Sequence, residues 1–349
     1  MSFPEDRAVR LAAYYRKVPH ARAYHNLEAV MAPYVTIGQS PAHDSPVVRT
    51  DANGFRVSVW RGRPVDTCNY DDHRADLLVV GGSFVFGVGA TSDAATLASC
   101  LAGALDRPAL NLGIRAGNST QELIATIPFL RTARRVVVAS GVNNLVAALQ
   151  SHGQSSLYGP MFFEGAVELF ANWPIRKLAA TIREVTRGGA SDREIARAWK
   201  ILGRQRLGQG IDRPHGSETA DTTAASRLAM QRQVRDLEII TGAIGGPANV
   251  VFCAQPFAST DSRRNAQEMA LFELLDELQG EEWSRSRRLL DVMWSQYVQG
   301  LERACAERGI AFVGIDAARL EGWSFIDRVH LTDDGYAQSA RQIAETLVD

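Results

Sequence analysis

Read for the alternation of apolar and polar positions, the chain falls into short apolar runs, the first three ending in small or amide-bearing loops, separated by stretches of helical spacing. Five runs have the length and β-branched content of buried strands: Leu77–Val80, Pro108–Asn111, Arg135–Ser140, Ala248–Ala254 and Ile310–Ile315. Strands alternating with helices predict an α/β fold, a parallel sheet with helices on both faces. Helices are predicted from a Thr91-Ser92-Asp93 cap through Leu105, from near Gln121, over Ser226–Thr241, and from Arg264 to Arg308 with a break near Gly280. The last helix is capped by Thr332, with Tyr336, Ala340, Ile343 and Leu347 on one face.

Two regions depart from this alternation. Residues 1–75 read as an N-terminal extension, with helical pieces at Arg7–Arg16 and Ala23–Met31 and a hairpin turning at Asp51-Ala52-Asn53-Gly54. Residues 76–349 form the main domain, interrupted at about 150–245 by a helical insertion. Its segments are Phe162–Leu169, Arg176–Thr186, Asp192–Leu207 and a turn-rich Gly208–Ala224, with Trp173 and Trp199 as its own core. Because the insertion follows the third strand, it is expected to cover the strand-end face as a cap.

Composition narrows the function to a local site. With 46% hydrophobic and 22% charged residues and a net charge of -1, nothing in the chain gathers nucleic acid or an anionic membrane. No run of about 18 apolar residues occurs, and the acidic N-terminus lacks an apolar signal core, so the expected location is cytoplasmic. The four cysteines are widely spaced, with neither a disulfide framework nor a zinc pattern. His20, His25, His43 and His73 show no ligand-like spacing and read as surface or packing residues. Arg285-Ser286-Arg287-Arg288 reads as a solvated face.

The chemistry-bearing positions lie where the strands end. Leu77–Val80 runs into Gly81-Gly82-Ser83, where the glycines let the backbone turn sharply and leave Ser83 at the edge where open α/β sheets bind ligands. A P-loop needs Lys and then Ser or Thr after its last glycine, which Val88-Gly89 does not supply. A dinucleotide site needs an acid at the next strand end, where Asn111-Leu112-Gly113 stands, and a nucleophile elbow needs glycine at Val85. A candidate nucleophile and a serine that merely caps its turn remain.

The second strand opens into Gly113–Thr120, and the third into Gly141-Val142-Asn143-Asn144. The Ser83 N–H, the Gly117 N–H and the Asn143 amide are thus candidate donors to one developing oxyanion. Just before the last helix, Asp327 precedes His330 by three residues, close enough to hold one ring nitrogen and leave the other for a serine proton.

Taken in order, Gly81-Gly82-Ser83-Phe84, Gly117, Gly141-Val142-Asn143-Asn144 and Asp327-Arg328-Val329-His330 resemble the sequence blocks of the SGNH (GDSL-type) hydrolase superfamily. The resemblance spans roughly residues 77–145 and 245–349, and a stretch like Asp51–Arg56 also recurs in long members. It implies a flavodoxin-like three-layer αβα sandwich with a five-stranded parallel sheet. It further implies Ser83 as nucleophile, His330 and Asp327 as its partners, and Ser83, Gly117 and Asn143 as the oxyanion hole. Phe84, Arg115, Asn144 and Gln255 adjoin these blocks and are the expected substrate contacts. Gly82 stands where the family name has Asp, and Asn144 replaces the usual acid after Asn143.

The expected activity is hydrolysis of a small-molecule or carbohydrate acyl ester, such as an acetyl ester, through an acyl-enzyme and without metal or organic cofactor. Acyl transfer from the same intermediate and a non-catalytic binding module are the alternatives.

Overall fold

The computed structural model describes residues 4–32, 34–73, 75–150, 222–259 and 264–347. Residues 151–221, which hold most of the expected insertion with Trp173 and Trp199, lie outside the described residues.

The N-terminal region begins with helices α1 (Pro4–Lys17) and α2 (Ala21–Asn26). The helix expected over Ala23–Met31 stops at Asn26, and Ala29–Ala32 instead forms strand β1, paired antiparallel with β2 (Thr36–Gln39). Tertiary pairing overrides the local helical spacing here, because the partner strand takes up the backbone groups that a helix would satisfy internally. The turn at Asp51 exists, with Gly54 at φ 83°, but closes only a single bridge between Thr50 and Arg56. Strand β3 (Ser58–Trp60) pairs forward with β4 (Arg63–Val65) through Arg61 and Gly62, both left-handed at φ 49° and 73°. Two left-handed central residues match the twist of a tight hairpin, so that turn, not Asp51–Gly54, organises the strands.

The main sheet contains β5 (Leu77–Gly81), β6 (Ala109–Gly113), β7 (Arg135–Ser140), β8 (Val250–Ala254) and β9 (Ala311–Gly314), all parallel in the order β6-β5-β7-β8-β9. Counted within the sheet this is 2-1-3-4-5, the flavodoxin-like order. The helices around it are α3 (Ser83–Phe86), α4 (Leu97–Ala104), α5 (Ser119–Thr126), α6 (Val142–Gln150), α7 (Thr222–Ala243), α8 (Ala266–Glu307) and α9 (Asp333–Leu347). Side chains alternate across the strands. Leu77, Val79, Val137, Ala139, Val251 and Cys253 join the core beneath α4 and α9. On the other face α5, α6, α7 and α8 pack together, completing a three-layer sandwich.

Helix α4 starts at Leu97 with Thr96 as its cap, later than the expected Thr91–Asp93 start. Asp93 is drawn inward instead, where it receives Arg49 and the fully buried Arg56. Helix α8 continues through Gly280 without the expected break. A lone glycine costs only about 1 kcal/mol in a helix interior, which packing along the rest of so long a helix can offset. Arg287 is not solvated as expected; it lies between Asp276 and Asp291, 3.5 Å from each. Cys253 and Cys305 are buried free thiols.

Registration across the sheet sets up the site. Gly81 pairs with Gly113 and Ala139, and Ser140 with Ala254, so four strands end along one row. The order reverses between β5 and β7, and the residues just beyond those two strands are Ser83 and Asn143. That reversal is where open α/β sheets form their ligand crevice.

Candidate active site

At the end of β5 the chain turns at Gly82 and enters α3, which places Ser83 at a helix start with its N–H unused by the helix. The turn is set by close packing. A Cβ on Gly113 would run into the backbone of Phe86, so glycine lets α3 lie directly on β6. A Cβ on Gly82 would stand 2.5 Å from Asn143 Nδ2. Glycine at this position leaves room for the Asn143 amide beside the turn.

Asp327 and His330 reach Ser83 from the other end of the chain. The loop carrying them is fastened to α8 by one ion pair and by backbone hydrogen bonds to a buried carboxylate. Arg328, only 5% exposed, binds both carboxylate oxygens of Asp276 and donates to Ala258 O. Glu268, fully buried, receives Arg264 together with the backbone N–H groups of Ser324 and Phe325. Within the loop, Asp327 Oδ1 accepts the N–H groups of Val329 and His330, both at 2.8 Å.

Asp327 Oδ2 lies 2.6 Å from His330 Nδ1, and His330 Nε2 lies 2.7 Å from Ser83 Oγ. A carboxylate can only accept, so Nδ1 carries the proton and Nε2 presents its lone pair to the serine hydroxyl. Burial alone raises the Asp327 carboxyl. The adjoining His330 and the two backbone N–H groups outweigh burial and hold it below the usual carboxylate range.

The donors near Ser83 differ from the expected three. The Gly117 N–H is engaged by Ile114 O at 3.0 Å in a tight turn that runs through Ala116 at φ 60°, so in this geometry it is not free for an oxyanion. Gly117 acts through its carbonyl, which accepts from Asn143 Nδ2 at 2.8 Å. The second N–H of that amide remains, beside Gly82 and Ser83.

Two of the expected substrate contacts are scaffold. Phe84 is fully buried and stacks on Tyr336 in the core, because the first turn of α3 directs it under the sheet edge. Asn144, 7% exposed, accepts the Ser119 N–H and donates to Gln233, tying α5 to α6 and α7. Gln255 is 4% exposed. Arg115 is half-buried and donates to Leu27 O at 3.2 Å.

The N-terminal region also reaches this site, which sequence spacing did not signal. His25 is hydrogen-bonded to Tyr15 and lies within electrostatic reach of Asp327, Arg115 and His330. Burial, together with the Arg115 charge and the neighbouring His330 ring, outweighs the pull of Asp327 and keeps His25 below the usual imidazole range. Tyr24 donates to Gly87 O, and His20 Nε2 to Gly89 O, both in the loop after Ser83. Among the described residues, no cluster of His, Cys, Asp and Glu is arranged to hold a metal, and no helix is long and apolar enough to cross a membrane.

No family model matches the chain, and no curated protein matches it. Solved structures do. One is described as a carbohydrate acetylesterase family member from Sinorhizobium meliloti, at 14% identity and a TM-score of 0.37, covering 78% of this chain and 97% of that one. A two-domain esterase active on acetylated mannans is similar at 12% identity and a TM-score of 0.38, covering 79% of this chain and 50% of that one. An acetyl xylan esterase from Butyrivibrio proteoclasticus is similar at 8% identity and a TM-score of 0.38, covering 84% of this chain and 65% of that one.

Proposed function

We propose that the chain is a serine esterase of the SGNH type, cleaving a small acyl ester such as an acetyl ester through an acyl-enzyme. The observation that carries this reading is the continuous hydrogen-bonded line from Asp327 through His330 to Ser83 Oγ. In such a line Ser83 Oγ attacks the ester carbonyl while its proton passes to His330 Nε2, and Asp327 stabilises the imidazolium that forms. The oxyanion faces the Ser83 N–H and the remaining N–H of Asn143. Such donors are each worth about 3 kcal/mol of transition-state stabilisation. Collapse of the tetrahedral intermediate returns the His330 proton to the leaving alkoxide. Water, deprotonated by the same nitrogen, then attacks the acyl-Ser83 carbonyl and releases the acid.

The test is a series of p-nitrophenyl esters of increasing acyl length, assayed with the purified chain and with Ser83→Ala. The reading requires turnover that favours the shortest esters and is lost in the variant while the fold remains. Retained turnover in Ser83→Ala would remove the serine from the mechanism.

A further inference from the structure

Behind the Ser83 turn lies a carboxyl group to which this reaction assigns no role. Glu122, on α5, is 1% exposed. Its Oε1 accepts from Ser140 Oγ at 2.9 Å, while its Oε2 has no hydrogen-bond partner. Ser140 is the last residue of β7, three before Asn143. The same Oε1 lies 3.8 Å from the point where a Gly82 Cβ would stand, the point that Asn143 Nδ2 approaches to 2.5 Å. The Glu122 carboxyl, the Asn143 amide and the Ser83 turn thus share one small volume at the strand ends.

Among the described residues, none compensates a negative charge there. From α7, Asp236 opposes it, and the neighbouring Arg235 is paired to Asp236 at 2.7 Å. Arg232 of the same helix also faces Asp236, and no described Lys or Arg forms an ion pair with Glu122. From α8 comes Tyr297, a buried phenol whose own ionisation burial opposes. From β7 comes only the Ser140 hydroxyl. An isolated buried carboxylate is costly, and the group avoids that cost by keeping its proton.

Resting on the reading of Ser83 as nucleophile, we propose that Glu122 is a positioning residue held as a neutral carboxylic acid, which supports the Ser83–Asn143 edge and disables it on ionising. Burial pushes the carboxyl up to about 8, against the downward pull of the Ser140 hydrogen bond and with a smaller upward push from Asp236. Either form accepts from Ser140, the ionised one more strongly. The ionised form puts a charge beside the place where the oxyanion develops.

The sign for stability follows from the raised value. The unfolded chain loses this proton near the ordinary carboxyl value while the native state keeps it, so native stability declines with rising pH and levels off above about 8. The experiment compares the full chain with Glu122→Gln, a neutral isostere, by urea midpoint and by p-nitrophenyl acetate turnover between pH 5 and 9.5. The midpoint of Glu122→Gln minus that of the native chain is expected to grow with pH and flatten above about 8. Turnover is expected to fall along a one-proton limb near pH 8 in the native chain only. A constant offset between midpoints, or a turnover limb unchanged in Glu122→Gln, would overturn the proposal. If neither protein cleaves esters, the proposed function fails while the midpoint curves still judge Glu122. Should Glu122→Gln fail to fold, infrared difference spectra of the native chain decide. A protonated-carboxyl band lost between pH 7 and 9 supports the proposal, and its absence defeats it.

Discussion

Arg56→Met removes a buried cation that ties the N-terminal region to the loop following Ser83. The guanidinium is fully buried and makes five hydrogen bonds: to Asp93 Oδ1 at 3.0 Å, Tyr24 Oη at 2.7 Å, Phe86 O at 3.3 Å, Gly87 O at 3.0 Å and Val47 O at 2.6 Å. Removing one partner of a buried ion pair costs about 3–5 kcal/mol, because the other charge is left in a poor solvent. Here Asp93 keeps Arg49, which favours the lower end, while three carbonyls lose a charged donor at about 1 kcal/mol or more each, which favours the upper. The expected loss is therefore about 4 kcal/mol, a large share of the 5–15 kcal/mol typical of folded proteins, roughly. Urea unfolding followed by tryptophan fluorescence reads it as a lowered midpoint at unchanged slope. Because Phe86 and Gly87 belong to the segment that follows Ser83, ester turnover should fall as well. A loss under about 1 kcal/mol, the range of exposed ion pairs, would refute the reasoning.

Further predictions concern the site itself. Asn143→Ala should lower kcat by about 10²–10³-fold with little change in KM, as expected for a donor used in the transition state. Gly82→Ala places a methyl against the Asn143 amide, so it should lose activity through Asn143, and the double variant should be no worse than Asn143→Ala alone; additive losses in kcat would contradict this. The lowered Asp327 carboxyl contributes stability that is present above its unfolded value and lost as pH falls through the native one. Urea midpoints of the native chain should therefore drop on acidification below about pH 4 more steeply than those of Asp327→Asn; parallel curves would remove Asp327 as the cause.

The strand framework was legible because each core strand is a short apolar run closed by glycine or a small residue, and buried parallel strands need little else. Leu77–Gly81 and Arg135–Ser140 were readable almost to the residue. The approach of His330 to Ser83 was suggested by the order of motifs, although 247 residues separate the two. What local pattern could not reveal was direction. Gly117 stands in the expected loop, yet its N–H turns back to Ile114 and its carbonyl meets Asn143. Phe84 and Asn144 adjoin the site in sequence but point into the scaffold. The roles of Arg56, Glu268 and Arg328 depend on partners far along the chain, so no spacing betrays them. Glu122 resembles any acid in a first helical turn until Ser140 and Gly82 close around it.

In the proposed reaction Ser83 is a nucleophile activated by His330. The most direct test of this is to treat the purified chain with a fluorophosphonate and locate the adduct by peptide mass spectrometry. A single adduct on Ser83, formed by the native chain and absent in His330→Ala, is the predicted result. An unlabelled Ser83 in a folded protein, or equal labelling without His330, would contradict the account.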